Sequence, residues 1–107
     1  MVGELEIETS ATRLVLHGDL DLQTIDDLRA LLDDACLTRP SRLVIDLSDV
    51  AFVDVLSLSS ILATTDCLRD RGSGLLITGA NPAVRRVCAL LNADDVLAPM
   101  VPMPRVG

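Results

Sequence analysis

Asp54 leads into three hydroxyls, Ser57, Ser59 and Ser60, in the stretch SDVAFVDVLSLSS that runs from Ser48 to Ser60. Three further carboxylates, Asp19, Asp21 and Asp49, stand in stretches expected at the same end of the fold. Convergent carboxylates can bind Mg²⁺ or act as acid and base. Neither chemistry is complete here. No phosphate ligand or partner base accompanies the acids, His17 is the only histidine, and no G-x-S-x-G elbow occurs. Cys36, Cys67 and Cys88 are odd in number, widely spaced and without a CxxC pair, so no zinc ligand set forms. They read as small buried hydrophobes of a reducing cytosol. The expectation is a binding surface rather than a catalytic centre, with no metal and no cofactor. An acidic rim suits an arginine-rich partner, because opposed charge speeds encounter.

The charge balance narrows the partner. The chain has 16 acids against nine bases, all arginine, for a net charge of −7. Without lysine there is neither a P-loop nor Schiff-base chemistry. The acid excess and the single aromatic, Phe52, argue against nucleic acid, and the charge also argues against anionic lipid. A chain of 107 residues, half of them apolar, makes one domain with an aliphatic core. The start MVGELEIETS is not a signal peptide, and no apolar run approaches the ~18 residues of a membrane span. The expected location is the cytoplasm.

The acids and hydroxyls must be positioned by an alternating set of elements. ELEIET and RLVLHG alternate at period two and predict a hairpin turning through SATR. HGDLD breaks that pattern. TIDDLRALLDDACL has helical spacing at Ile25, Leu28, Leu31, Leu32, Ala35 and Cys36, with Thr24 as the expected N-cap. LVIDL predicts a short buried strand, and LSSILATTDCLRDRG a helix ended by Gly72, with Arg69 and Arg71 in its last turn. GLLITG predicts another buried strand. Asn81 and Pro82 open a third helix with Val84, Val87, Cys88 and Leu91 inward. DDVLAPM reads as a short last strand. The order β-β-α-β-α-β-α-β implies a mixed sheet with right-handed crossovers and helices packed on it. Sites should cluster at the carboxyl ends of its strands, where HGDLD and SDVAFVDVLS sit.

Three segments, RLVLHGDLDLQTIDDLRALL, RLVIDLSDVAFVDVLSLSSIL and GLLITGANPAVRRVCALLNADDVL, resemble those of a STAS domain, the domain of bacterial anti-sigma factor antagonists. The matching elements are Gly18-Asp19-Leu20-Asp21 after a strand, Phe52-Val53-Asp54 before the second helix, and G-x-x-P-x-V from Gly79 before the third. The resemblance covers residues 4 to 98. It implies an α/β fold with a STAS-type mixed sheet, a domain over residues 1–98 and an irregular tail over 99–107. It also implies a phospho-switch: the unphosphorylated antagonist binds an anti-sigma factor, often a serine kinase, and so frees the sigma factor. The kinase ends this by phosphorylating the second hydroxyl of D-[ST]-[ST]-G-[LI]. Here the stretch reads Asp54-Val55-Leu56-Ser57-Leu58, so both hydroxyls are replaced by apolar residues and the glycine by serine.

Transfer to Leu56 is impossible, for it has no nucleophilic oxygen. Three outcomes stay open: constitutive docking, phosphate on Ser57 or on Ser59 or Ser60, or regulation moved elsewhere. The expected partner-binding residues are Asp19, Asp21, Asp49, Asp54, Val55, Leu56, Ser57 and Ser60. Asp54 has a structural role available as N-cap of the second helix. Val55 and Leu56 either fold inward as a staple or face a partner, and exposed they could support a weak homodimer. The rival reading is a STAS accessory subunit of an ABC lipid transport system. Such versions can also lack the serine pair, and they end soon after the last strand; here Pro99, Pro102 and Pro104 leave no further helix expected in the tail. Neighbouring genes discriminate the two.

Overall fold

Gly3–Ile7 (β1) and Thr12–Leu20 (β2) form the antiparallel hairpin that the alternation demands, closed by Glu8 N–H donating to the Ala11 carbonyl at 2.8 Å. The structure is a computed structural model describing residues 2–8, 11–69 and 72–97. Arg42–Val53 (β3) runs parallel to β2, and Gly74–Thr78 (β4) parallel to β3, giving a mixed sheet in the order β1-β2-β3-β4. Ile25–Leu37 (α1) crosses from β2 to β3, Val55–Arg69 (α2) from β3 to β4, and Pro82–Leu90 (α3) follows β4. A 3₁₀ turn over Asp94–Val96 then brings Leu97 to a single parallel bridge with Ile77. The expected last strand is thus reduced, among the described residues, to that bridge. The tail 99–107 lies outside them, as do part of the hairpin turn and Arg71.

Register decides what the helices bury. The row Leu5, Leu14, Ile45, Ile77 faces the helices, together with Leu16, Leu43 and Leu47, and all but Leu5 of these are fully buried. α1 adds Leu28, Leu32 and Ala35, α2 adds Leu58, Ile61 and Leu68, and α3 adds Val84 and Cys88. Removing any one of the large aliphatic chains to alanine costs about 2–5 kcal/mol. The opposite face carries Glu4, Glu6, Arg13, Val15, Val44, Asp46 and Leu76. There Arg13 covers Asp46, donating to its carboxylate, and the Ser48 N–H and hydroxyl donate to the other oxygen at 2.9 and 2.6 Å. Burial pushes the Asp46 carboxyl up, but the hydrogen bonds from Ser48 and Arg13 outweigh it and hold the pKa below the usual value.

The helix ends follow the sequence signals, with one correction. Gly72, at φ +70°, ends α2: its N–H reaches the Arg69 carbonyl, and the Ser73 N–H reaches Leu68 at 2.8 Å. The Asn81 side chain caps α3 by accepting from Val84 N–H at 2.8 Å, with Pro82 next in the chain. Thr24 precedes α1 as expected but does not cap it with its side chain. Its hydroxyl turns backward, accepting from Asp21 N–H at 3.1 Å and donating to the Asp19 carbonyl at 3.0 Å. It closes the turn before the helix instead.

Candidate partner-binding corner

Two strands run further than their sequences suggest. β2 continues through Gly18 to Leu20, and β3 continues through Ser48-Asp49-Val50-Ala51-Phe52 to Val53. β4 pairs with β3 only as far as Asp46, so beyond that point β2 and β3 form a two-stranded parallel ribbon. The pairing is His17 with Asp49, Gly18 with Val50, Asp19 with Phe52 and Leu20 with Val53. The register shifts between Val15 and His17 and again between Gly18 and Asp19, each time giving β3 an extra residue. Inward residues of β3 therefore fall at Leu47, Val50 and Val53, a period of three that hides the strand from an alternation test. Most of HGDLD, which breaks the alternation, and SDVAFV are these two paired strand ends. The corner itself is a single residue, Asp54.

Asp54 is held at both ends. Its N–H donates to the Leu20 carbonyl at 2.9 Å, and its side chain accepts from Ser57 N–H at 2.7 Å, capping α2. A carboxylate suits a helix N-terminus, where the first N–H groups lack partners and the dipole favours negative charge. The cap turns Val55 and Leu56 outward, at 51% and 46% exposure. Phe52 stands at 51% and Leu22, in the turn after β2, at 70%. These four apolar side chains mark the carboxyl end of the ribbon, with Asp19 on the rung beside Phe52. Asp21 is half-buried and accepts from Gln23 N–H at 2.9 Å, ordering the turn that carries Leu22. Asp49 is exposed but three residues back from Phe52, roughly 10 Å along the strand. The four acids share one end without converging on a point. Among the described residues no three of His, Cys, Asp or Glu are placed to share a metal ion.

The structure also separates the three serines that the sequence left equivalent. Ser59 is exposed, and Ser60 is half-buried with its hydroxyl donating to the Leu56 carbonyl at 3.1 Å. Ser57 is fully buried, and its Oγ has no hydrogen-bond partner. In the folded chain its hydroxyl is out of a kinase's reach, and it presents nothing to a partner either. Phe52 lies within the expected stretch from Asp49 to Ser60 but, like Leu22, is not among the named partner-binding residues; both stand exposed at this end. A lone aromatic beside the Asp54 cap, and a leucine inside a turn flanked by acids, were the available signals.

The chain shares its fold with known proteins. Its sequence matches the family described as Mlab, STAS domain over residues 4–102, so the chain belongs to the STAS domain family. An anti-sigma factor antagonist from Mycobacterium paratuberculosis is 26% identical, with a TM-score of 0.81 over 92% of this chain and 86% of that one. The anti-sigma factor antagonist SpoIIAA in its unphosphorylated form is 18% identical, with a TM-score of 0.79 over 90% of this chain and 85% of its own. A sulfate transporter family protein from Wolinella succinogenes shares the fold at 13% identity, with a TM-score of 0.67 over 86% of this chain and 79% of that chain. No helix among the described residues is long and apolar enough to cross a membrane.

Proposed function

We propose that the chain is a regulatory protein-binding module of the cytoplasm, an anti-sigma factor antagonist-like protein that binds an anti-sigma factor and so promotes release of a sigma factor. The observation that carries the reading is the exposed set Leu22, Phe52, Val55 and Leu56 beside Asp19 at the α2 corner. Apolar anchors with a charged margin are what a protein interface needs. The Mycobacterium relative, called an anti-sigma factor antagonist, supports the choice of partner class. Leu56 carries no acceptor oxygen and Ser57 is buried, so docking is not ended by phosphate at the family's usual position. Of the three serines at the start of α2, Ser59 and Ser60 stand near the surface as substitute acceptors.

The test is a pull-down from the cytosol of the source organism with tagged protein, with and without ATP, read by mass spectrometry of partner and bait. An anti-sigma factor recovered equally under both conditions, with no phosphate on the bait, is the expected result. Leu56→Asp should then weaken binding in a titration, because it puts a charge into a desolvated contact. Undiminished affinity would show that the corner is not the interface. The second reading is an accessory subunit of an ABC lipid transport system; the sulfate transporter family neighbour shares the fold alone. An ABC ATPase in the eluate would replace the first reading by this one.

A further inference from the structure

The sequence predicts three buried cysteines, but the structure buries Cys88 and leaves Cys36 and Cys67 half-buried. Those two line one open groove between the outer faces of α1 and α2. Each helix crosses between two parallel strands, so the helices run in the same direction. Arg29 Nε donates to Ser60 Oγ at 3.5 Å, which sets the register between them. Cys36 follows Arg29, and Cys67 follows Ser60, by the same two helical turns, roughly 10 Å. The thiols therefore stand at matching heights on opposite walls. Leu32 and Thr64, both buried, form the floor between those walls. Each thiol also lies in the last turn of its helix, α1 ending at Leu37 and α2 at Arg69, where the backbone yields most readily.

We infer that Cys36 and Cys67 form a redox-responsive pair that a peroxide closes to a disulfide, stapling the end of α1 to the end of α2. One thiolate attacks a peroxide oxygen, the O–O bond breaks, and a sulfenic acid and water form. The second thiol attacks the sulfenic sulfur. The S–S bond forms, the S–O bond breaks, and the departing hydroxide takes the thiol proton and leaves as water. Two thiols are oxidised and one peroxide is reduced to two waters. In a reducing compartment the pair rests as thiols, and the disulfide is the transient, sensing form. A disulfide needs its Cβ atoms about 4 Å apart, so closure draws the two helix ends together and narrows the groove. The closed loop contains all of β3, the strand that leads to Asp54. Cys88 takes no part: it lies on α3 outside the groove, and burial pushes its thiol pKa up, away from the reactive thiolate.

The three cysteines fall on separate tryptic peptides, 30–42, 43–69 and 87–105, since trypsin cuts after arginine but not before Pro40. The full chain is treated with hydrogen peroxide, quenched with iodoacetamide and mapped by mass spectrometry without reduction. Peptides 30–42 and 43–69 should appear linked in the monomer and separate with dithiothreitol. Linkage should be about tenfold or more faster in the folded chain than in denaturing urea, because the fold holds the thiols near each other. The Tm of the oxidised chain should rise by roughly 10 °C and return on reduction. Cys36→Ser and Cys67→Ser, each at a half-buried position, should keep the wild-type circular dichroism and lose both the linkage and the Tm gain. Separate sulfinic acids on Cys36 and Cys67, or linkage no faster in the folded chain than in urea, would overturn the proposal. So would dimers linked between chains as the main product, a bond to Cys88, or a linked monomer that melts below the reduced one.

Discussion

Replacing Ser57 with alanine should make this protein more stable. The Ser57 side chain is fully buried at the start of α2, and its Oγ finds no hydrogen-bond partner. A buried hydroxyl left unsatisfied costs about 1–3 kcal/mol. Thr64 and Thr65 on the same helix escape that cost by donating to the carbonyls of Ile61 and Leu62 at 2.6 and 2.7 Å. Alanine removes the stranded oxygen and adds a few tenths of a kcal/mol of helix propensity. The small void left by one oxygen offsets part of the gain. The net expectation is about 1–2 kcal/mol, which for a domain of this size raises Tm by roughly 4–10 °C. Urea denaturation followed by circular dichroism measures it: the midpoint should move up by about 0.5–1 M with the slope unchanged. Ser60→Ala is the control, since Ser60 Oγ is bonded and half-buried, and it should stay within about 0.5 kcal/mol of wild type. Ser57→Gly should gain little, because glycine at a helical position returns about 1 kcal/mol in backbone entropy. A neutral or destabilising Ser57→Ala would refute the reasoning and show that the hydroxyl is satisfied in solution.

Asp54→Ala removes the cap on Ser57 N–H and should cost about 1 kcal/mol in the same urea titration. Gly79→Ala should cost more than 1 kcal/mol, measured by thermal melting: Gly79 sits at φ +72°, and a Cβ there would lie 2.8 Å from the Ser48 backbone nitrogen. Asp46 has a depressed pKa in the folded state, so its contribution is present above the unfolded value near 3.8 and fades as pH falls through the lower folded value. Asp46→Asn should accordingly be less stable than wild type at pH 7, and the gap should narrow below about pH 4 in a pH series of denaturation curves.

The helices were legible because burial at period 3.6 leaves a mark that any tertiary partner preserves. Ile25, Leu28, Leu32 and Ala35 announced α1, and the Asn81-Pro82 start of α3 was local chemistry that depends on nothing distant. The ribbon was not legible. Its two register shifts exist only between β2 and β3, and they move Leu47, Val50 and Val53 to a spacing that alternation does not recognise. Exposure at the corner was equally hidden. Val55 and Leu56 have the chemistry of core residues, and only the turn set by Asp54 sends them outward. The burial of Ser57 and the backward turn of Thr24 are decisions of packing among chemically equivalent hydroxyls, which no residue type records.

The Asn81 amide has a consequence beyond its cap. Because β4 stops opposite Asp46, the far side of β3 leaves the sheet with backbone groups facing outward, a template onto which another chain could add a strand. Asn81 Nδ2 approaches the carbonyls of Val50 and Ala51 at 3.3 and 3.1 Å, within that stretch, while its Oδ1 starts the helix. One side chain thus occupies acceptors that an incoming strand would require. Ribbon and third helix are fastened by the same group, so an Asn81 variant would open an edge for fibrous self-association as well as loosen a helix.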